Sequence, residues 1–514
     1  MGVRLTYTSG ALPGSLDEEF EDCLRQRRAT AQAPFAHLLG GERSERGEVF
    51  ERREPSDANG HVSRARAADA ETVAEALRAA RAAQSIWGRI SYGERCAHMR
   101  AVAKALDERQ IELASVVSLE TGKTRIESIA EAQEAVDLIE TYCAAIEDAE
   151  GFSAPLASLT ASERNFETLR PYGTFGVIAP FNFPLALAVN MLSAALITGN
   201  TVVLKPSEAT PWTGALLGDV LADADLPAGA INLVHGGADT GRALVAGDVD
   251  GIAFTGSVPV GREIARALAS GRWTRPVLAE MGGKNPTIVT ANADLEKAAE
   301  GIARAAFGLS GQKCSACSRA IVSGDVYDEL VERLCAFARE LVVGDPADRA
   351  SALGPVIDEK ALARFKESVA LADRDGRIVL GGGRIELRGG HFVEPTVVCD
   401  LPAGHSLDRR ELFLPFLSVT RVQGLAEAIV EANAVDYGLA AGIFSEDEQE
   451  LERFFEEIEA GVLYVNRRAG ATTGAWPGSQ SFCGWKASGL TGKGGLGPYY
   501  LQQFMREQSR TIAR

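Results

Sequence analysis

The sequence lacks an apolar run long enough to cross a membrane. Its longest apolar stretch, residues 183–198, is broken by Asn190 and is shorter than the roughly 20 residues that a spanning helix needs. No basic segment followed by an apolar one stands near the start, so no secretory signal is evident. These absences predict no membrane partner, and they favour a buried helix for the apolar stretch.

An excess of positive charge is missing as well. The 53 Lys and Arg residues are outnumbered by 70 Asp and Glu residues, which gives a formal net charge of −17. A surface of this sign repels phosphate backbones and anionic headgroups. We therefore expect a small-molecule partner rather than nucleic acid or a membrane surface.

Signatures of metal and hydrolase chemistry are also absent from the sequence. The six histidines form no ligand-spaced cluster, and there is no P-loop, His-Glu-x-x-His or Gly-x-Ser-x-Gly motif. A single Gly-x-Gly-x-x-Gly, residues 492–497, neither follows a predicted strand nor opens a clear helix, so it does not predict a dinucleotide site. We expect no catalytic metal.

The cysteines show no disulfide framework. Eight cysteines are scattered over the chain, mostly within helical or strand patterns. Such usage is typical of free thiols in a reducing compartment, so we expect a cytoplasmic protein.

Length and pattern predict two α/β domains in succession. A chain of 514 residues is too long for one hydrophobic core. Residues 1–60 are polar and irregular apart from one amphipathic helix near 17–28, and residues 69–149 are nearly all helical. From residue 170 to 465, strand-like segments alternate with helical ones, which is typical of parallel sheets.

Polar turns follow four of the predicted strands, where parallel sheets bind ligands. Asn182 lies in the first turn, between aromatic residues and prolines, and its amide suits a developing oxyanion. The second turn holds Lys205 and Glu208, which suit the hydroxyls of a ribose without a 2′-phosphate. The alternatives are a turn asparagine at the first site and, at the second, a helix cap formed by Ser207 or Thr210.

The other two turns also carry chemistry. Gly256 and Ser257 precede a helix that starts near Pro259, so free backbone N–H groups there suit a pyrophosphate. Glu280 ends a strand beside two glycines, which makes it a candidate general base. A salt-bridged surface glutamate is the alternative for Glu280.

Cys314 lies in a Gly-rich turn between a helical pattern and a strand. Small and polar residues flank it, and Lys313 precedes it, so we expect a partly exposed thiol shifted toward thiolate. A buried core cysteine, or a metal or redox pair with Cys317, remains the alternative. A thiol, a separate carboxylate, a fixed amide and nucleotide-type turns together suit the covalent oxidation of an aldehyde with hydride transfer to a nicotinamide.

Five motifs, in this order, resemble those of the NAD(P)-dependent aldehyde dehydrogenase superfamily, from about residue 45 onward: Pro-Phe-Asn-Phe-Pro, Lys-Pro-Ser-Glu, Phe-Thr-Gly-Ser, Glu-Met-Gly-Gly-Lys and Gly-Gln-Lys-Cys. The resemblance implies Cys314 as the nucleophile, Glu280 as the base for the deacylating water, and an oxyanion hole formed by Asn182 and the N–H of Cys314. NAD is the implied cofactor, with NADP as the alternative. The implied cofactor-binding residues are Lys205, Ser207, Glu208, Gly237, Gly241, Gly256, Ser257, Glu411 and Phe413.

The same resemblance implies a fold. Two Rossmann-type α/β domains should carry a small β flap for oligomerisation, as a homodimer or a higher homo-oligomer. The implied division is an N-terminal extension at 1–44, an NAD-binding domain at 45–154 and 173–282, a catalytic domain at 283–484, and a flap at 155–172 and 485–514. No proline-dehydrogenase domain precedes these motifs, so we expect a single activity.

Within the superfamily, the segments around Cys314 and after Asn466 are similar to those of the pyrroline-5-carboxylate (glutamate-γ-semialdehyde) dehydrogenases. This similarity implies a substrate site formed by Glu134, Ser315, Gly474, Ala475 and Phe482. It also implies the oxidation of glutamate γ-semialdehyde to glutamate through a thiohemiacetal and a thioester.

Some residues depart from the pattern of this branch. The late loop is about three residues longer than the motif requires and contains Trp476, Cys483 replaces a usual glycine, and Leu414 replaces another. The middle of the chain is equally similar to succinylglutamate-semialdehyde dehydrogenases. A different anionic semialdehyde, a straight-chain aldehyde, or an inactive NAD-binding structural protein are therefore the alternatives.

Overall fold

The computed structural model describes residues 5–7, 12–30, 32–468 and 475–514. In its N-terminal part, one helix is followed by four short strands: α1 (Gly14–Ala29), β1 (His37–Leu39), β2 (Glu42–Ser44), β3 (Glu48–Arg53) and β4 (Val62–Ala67). The helix confirms the amphipathic segment predicted near residues 17–28. The prediction of an otherwise irregular stretch is wrong, because β1 and β2 have only three residues each and most of β2 and β3 is exposed, so no clear alternation of apolar and polar residues marks these strands.

The predicted helical region consists of four helices: α2 (Ala70–Trp87), α3 (Tyr92–Glu108), α4 (Gln110–Thr121) and α5 (Arg125–Asp148). α3, α4 and α5 pack with the buried helix α6 (Ala186–Ile197) over one face of the first large sheet, in the largest hydrophobic core of the molecule, whereas most of the buried side chains of α2 pack over the opposite face. The apolar stretch noted in the sequence forms α6 (Ala186–Ile197), which is buried almost throughout, as expected.

The first large sheet contains the predicted strand–turn units. After the hairpin β5 (Ser153–Leu156) and β6 (Glu163–Pro171) come β7 (Thr174–Ile178), α6, β8 (Thr201–Lys205), α7 (Pro211–Asp223), β9 (Ile231–Leu233), α8 (Ala238–Ala246), β10 (Gly251–Gly256), α9 (Val258–Ala269) and β11 (Val277–Met281). The strand order is β11-β10-β7-β8-β9-β1-β2, with β7 to β11 parallel. Residues 37–44, which the prediction assigned to an N-terminal extension, form the antiparallel edge of this sheet.

The second large sheet contains the later strands. Its elements, in chain order, are β12 (Asn285–Val289), α10 (Leu295–Phe307), β13 (Cys317–Ser323), α11 (Tyr327–Glu340), α12 (Glu359–Asp375), β14 (Arg377–Leu380), β15 (Arg384–Ile385), β16 (Phe392–Val393), β17 (Thr396–Cys399), α13 (Ser406–Arg409), β18 (Phe416–Val422), α14 (Leu425–Asn433), β19 (Tyr437–Gly438), β20 (Ala440–Phe444), α15 (Glu448–Glu457) and β21 (Val462–Val465). The order β14-β17-β18-β13-β12-β20-β21 is parallel except for β14. The two α/β units predicted from the sequence are confirmed as the fold.

The C-terminal segment returns to the first half of the chain. It contains β22 (Trp485–Lys486) and β23 (Met505–Ala513), and β23 pairs antiparallel with β6 along its whole length. Together with β5 they form a three-stranded sheet in the order β23-β6-β5, and β23 is exposed beyond its first residue. In the described part of the chain, no helix is long and apolar enough to cross a membrane.

Candidate active site

The turn before Cys314 has an unusual backbone. α10 ends at Phe307, and Leu309, Ser310 and Gly311 then adopt φ values of 50°, 52° and 68°. Residues other than glycine rarely adopt positive φ angles, so contacts with other segments must hold the turn in this conformation. Ser310 donates to the carbonyl oxygen of Gly354 at 2.6 Å, and a Cβ on Gly311 would lie 2.0 Å from the carbonyl oxygen of Leu414. The chain is therefore tightly confined where it approaches the thiol.

Two amide side chains fix the segment around the thiol. Asn285 Nδ2 donates to the carbonyl oxygens of Cys314 and Ala316 at 2.8 and 2.9 Å, while its Oδ1 accepts from the N–H of Ala440 at 3.0 Å. Gln312 is buried and accepts from the N–H of Ile357 at 2.9 Å. Sequence reasoning gave neither residue a role, because each position is set by contacts distant along the chain.

Asn182 lies on the other side of the same turn. It is buried after the end of β7, and its Nδ2 donates to the carbonyl oxygen of Gln312 at 3.0 Å. Asn182 therefore contacts the segment that carries Cys314, although it lies in a turn itself. Because an amide nitrogen carries two hydrogens, one remains for a second acceptor next to the thiol.

The expected thiolate shift of Cys314 is not found. The residue is partly buried, and burial, followed by the charges of Glu411 and Glu280, raises the pKa of its thiol to about 12. The N–H groups of Ser315 and Cys314 itself oppose this shift. Lys313 does not lower the pKa because its Nζ turns away and pairs with Glu127 at 3.1 Å. The resting thiol is therefore neutral.

Cys317 does not form a pair with Cys314. Both are free cysteines, and Cys317 is buried at the start of β13, where it accepts from the hydroxyl of Thr287 at 3.2 Å. Burial raises the pKa of its thiol to about 11. Among the described residues, no group of three or more His, Cys, Asp or Glu side chains is arranged to hold a metal ion.

Glu280 lies within β11 and is partly buried. Its Oε1 accepts from the N–H of Gly495 at 2.8 Å, which connects it with the C-terminal Gly-rich segment. Burial raises the pKa of its carboxyl to about 7. The alternative of a salt-bridged surface glutamate is wrong, and the glycine segment that was discounted as a dinucleotide site instead contacts this carboxylate.

A cavity of about 750 Å³ opens beside Cys314 and Asn182. All nine residues predicted to bind the cofactor line it: Lys205, Ser207, Glu208, Gly237, Gly241, Gly256, Ser257, Glu411 and Phe413. They come from the carboxyl ends of β8, β9 and β10 and from the segment before β18. Parallel strands therefore bring the separate motifs to one cleft, as expected for turns that follow the ends of such strands.

The lining of this cavity fits a dinucleotide. α8 and α9 both begin at the cavity, after Gly237 and Ser257, and neither N-cap residue forms a side-chain cap. Uncapped N–H groups and the positive end of the helix dipole suit a pyrophosphate. Lys205 Nζ donates to the carbonyl oxygens of Pro206 and Gly236 and lies 3.8 Å from Glu208.

Glu208 and Lys205 both line the cavity, and their side chains differ in exposure: Glu208 is half exposed and Lys205 is buried. Burial lowers the pKa of the Lys205 ammonium. The capping alternative is wrong for this turn, because the N–H groups of Trp212 and Thr213 at the start of α7 donate to the carboxylate of Glu120 at 2.8 and 2.7 Å.

Glu411 and Phe413 come from the segment before β18, in the second α/β unit. Glu411 Oε1 accepts from the N–H of Gly283 at 3.0 Å, and a Cβ on Gly282 would collide with its carboxylate at 2.0 Å. Burial raises the pKa of the Glu411 carboxyl to about 7. Phe413 takes a positive φ of 59°, whereas Leu414, which replaces the usual glycine, does not and packs into the core.

Four of the five residues predicted to bind the substrate lie in the described part of the chain. Ser315 is partly buried beside the thiol, and Ala475 and Phe482 pack against the core of the first large sheet. Gly474 lies outside the described residues. Glu134 lies on α5, where its Oε2 accepts from the hydroxyl of Tyr7 at 2.5 Å, and burial raises the pKa of its carboxyl to about 7.

Two aromatic residues near Glu134, Tyr7 and Trp476, were assigned no role in the sequence analysis. The ring of Tyr7 contacts Phe183 and Trp476, with ring centres 5.8 and 5.7 Å apart. Trp476 Nε1 also donates to Asp137 on α5 at 2.8 Å. Trp476 belongs to the lengthened late loop, which was the one signal in the sequence that pointed here.

Comparisons with known proteins agree with this geometry. A profile described as "Aldehyde dehydrogenase family" matches residues 42–509. A 1-pyrroline-5-carboxylate dehydrogenase of Geobacillus sp. (strain WCH70) is 35% identical over 500 residues, which are 96% of this chain and 95% of that protein.

Solved structures give the same result. A 1-pyrroline-5-carboxylate dehydrogenase from Thermus with bound NAD superposes with a TM-score of 0.95 at 32% identity, covering both chains fully. Proline utilization A from Bdellovibrio bacteriovorus superposes with a TM-score of 0.93 at 32% identity, and this chain covers 54% of that longer one. The chain therefore belongs to the aldehyde dehydrogenase family and is an oxidoreductase that acts on an aldehyde.

Proposed function

We propose that this enzyme oxidises L-glutamate γ-semialdehyde, the open form of pyrroline-5-carboxylate, to glutamate. The proposed chemistry rests on one observation: Cys314 and Asn182 line the same cavity as the nine residues predicted to bind the cofactor. The choice of substrate is supported by the relatives that bear the pyrroline-5-carboxylate dehydrogenase name and by the motif around Ser315. The cofactor is NAD, which is bound in the Thermus relative.

The chain's own residues perform the acylation half of the reaction. The thiol of Cys314 releases its proton to solvent and its sulfur adds to the aldehyde carbon, while Asn182 Nδ2 and the N–H of Cys314 donate to the oxygen that becomes negative. NAD, when bound, supplies the nicotinamide ring that accepts the hydride. When the thiohemiacetal carbon loses the hydride, with both electrons of its carbon–hydrogen bond, a thioester remains on Cys314.

Glu280 carries the hydrolytic half. Its carboxylate takes a proton from water, and the hydroxide equivalent attacks the thioester carbon. The carbon–sulfur bond then breaks, glutamate leaves, and the thiol is restored. Because burial holds the pKa of the Glu280 carboxyl at about 7, a large share of the residue is ionised at neutral pH.

The substrate's charged end requires a separate anchor. Ser315 with Gly474 and Ala475 would bind the α-carboxylate through N–H groups and a hydroxyl, and Phe482 would pack on the aliphatic stem. Glu134 would lie near the amino group, although its carboxylate already accepts from Tyr7. The substrate's ammonium therefore has to share Glu134 with that hydroxyl.

Initial rates with NAD would test the choice of substrate. We expect kcat/KM for glutamate γ-semialdehyde to exceed those for succinate semialdehyde and hexanal by at least about tenfold, because hexanal leaves a carboxylate anchor unpaired. Equal or better turnover of hexanal would contradict the proposal. A preference for succinylglutamate semialdehyde would keep the chemistry and reassign the substrate.

We also propose that the division into an NAD-binding domain, a catalytic domain and a flap applies to this chain, and that the flap mediates a homodimer or higher homo-oligomer. The support is the exposed outer strand β23, whose free edge can pair with another strand.

A further inference from the structure

Helix α5 presents three carboxylates on one face. Glu127, Glu131 and Glu134 are spaced by four and three residues, which places them above one another along the helix. Each accepts from a different partner: Lys313, Lys123 and Tyr7. The first two carboxylates bind the two loops that converge on the oxyanion hole.

Glu131 holds the loop that carries Asn182. It forms a completely buried ion pair with Lys123, and its Oε1 accepts from the N–H groups of Leu185 and Ala186 at 2.9 and 3.2 Å. These N–H groups open α6, three residues after Asn182. A fully buried charge persists only where it is paired and hydrogen-bonded, so this contact fixes the start of α6 rigidly.

Lys123 reinforces the same loop. Its Nζ lies 3.5 Å from the centre of the Phe183 ring, the residue that follows Asn182. A cation over a ring in a dry site resists displacement of that ring. The Glu131–Lys123 ion pair therefore contacts both the backbone and a side chain on the C-terminal side of Asn182.

Glu127 holds the loop that carries Cys314. Its Oε1 lies 3.1 Å from Lys313 Nζ, and these side chains are only 16% and 9% exposed. Lys313 immediately precedes Cys314. The same helix, one turn away from Glu131, thus anchors the second loop.

We propose that Glu127 and Glu131 are positioning residues that set the separation between Asn182 and the N–H of Cys314. The two loops meet where Asn182 donates to Gln312 at 3.0 Å, and α5 is the rigid element behind both. Oxyanion stabilisation depends on donors placed in advance, and a shift of about 1 Å costs on the order of 100-fold in rate. The inference rests on the proposed oxyanion role of Asn182.

The test is a double-mutant cycle on the single-turnover rate of NADH formation. Glu131→Gln keeps an oxygen for the N–H groups of Leu185 and Ala186 but leaves Lys123 without its carboxylate, so the loop should shift. We expect Glu131→Gln and Glu127→Gln each to lower the burst rate by about 10- to 100-fold, with an unchanged Kd for NAD. Combined with Asn182→Ala, neither should lower the rate more than twofold beyond Asn182→Ala alone, because the separation that both carboxylates set matters only while the Asn182 amide is present.

Glu120→Gln is the matched control. Glu120 lies on α4 and is also a buried carboxylate that accepts from two N–H groups at a helix start, but these belong to Trp212 and Thr213 at the start of α7 and not to either loop. It should leave the burst rate within about twofold and combine multiplicatively with Asn182→Ala. If Glu131→Gln fails to fold, the less buried Glu127→Gln decides.

Two outcomes would overturn the inference. One is a burst rate within twofold of wild type in both variants, and the other is a loss that multiplies with that of Asn182→Ala. The aldehyde used is whichever the wild type oxidises fastest, so a wrong substrate assignment does not affect the result. If Asn182→Ala itself has no effect, the proposed oxyanion role fails first.

Discussion

At the scale of single residues, burial disfavours the charged forms of the reactive groups in the resting site. Burial raises the pKa of the Cys314 thiol to about 12 and those of the Glu280 and Glu411 carboxyls to about 7. The ammonium of Lys313, which precedes Cys314 in the chain, is paired with Glu127. The Lys313 ammonium therefore does not favour the thiolate form of Cys314.

The pH dependence of turnover follows from Glu280. A carboxyl with a pKa of about 7 is protonated below that pH and acts as a base only above it, so the deacylation rate should rise with pH through about 7. Glu280→Gln should keep the first burst of NADH, lower steady-state turnover by about 10²- to 10⁴-fold, and remove this rise. Stopped-flow and steady-state assays from pH 5.5 to 9 would measure both.

The loss of the burst in Glu280→Gln would contradict this division of labour, since it would mean that Glu280 also removes the proton of Cys314. The Cys314→Ala variant is the control, and it should show no burst at any pH.

At the scale of elements, strand ends were predictable and the contacts across the chain were not. Gly-rich and polar turns after apolar strands correctly placed Asn182, Lys205 and Ser257 at one cleft, because parallel strands end at one edge of a sheet. The direction of Lys313 was not predictable, since Glu127 lies 186 residues away along the chain. For the same reason the hydrogen bonds of Asn285 with Cys314, Ala316 and Ala440 were not predictable.

The turn before Cys314 offers an element-scale prediction. Gly311 has a φ of 68°, and a Cβ there would lie 2.0 Å from the carbonyl oxygen of Leu414. Gly311→Ala should lower the burst rate by at least about 100-fold and destabilise the protein by about 1–3 kcal/mol, because the turn has to move. Thermal unfolding and the single-turnover assay would measure these effects.

Gly93→Ala is the matched control for Gly311→Ala. Gly93 lies in α3, is exposed, and has nothing within 4 Å of an added Cβ. It should be neutral or slightly stabilising, since alanine restricts the unfolded chain. A normal burst rate in Gly311→Ala would show that the strained turn does not define the position of the thiol.

At the scale of the whole molecule, the C-terminal segment connects the two halves of the chain. After β21 it contacts Glu280 through Gly495 and β19 through β22, and it ends as β23 against β6. This return path accounts for the three-stranded sheet formed by segments more than 300 residues apart. An edge strand at the C-terminus was predictable from its pattern, whereas its partner β6 followed only from the family resemblance.

The flap can be tested for assembly. We expect the wild-type enzyme to sediment as a dimer or a higher oligomer of the 54.5 kDa chain. Deletion of residues 508–514, which removes most of the exposed β23, should shift it toward monomer. Analytical ultracentrifugation would measure both, and a monomeric wild type would contradict the proposed role of the flap.

The most direct test of the account is to trap the covalent intermediate. Glu280→Gln enzyme, mixed with NAD and glutamate γ-semialdehyde and quenched in acid, should carry one adduct whose mass equals that of the aldehyde less two hydrogens. Peptide mass spectrometry should place this thioester on Cys314, with one NADH released per adduct. NADH formed without an adduct, or an adduct on another cysteine, would contradict the assignment of Cys314 as the nucleophile.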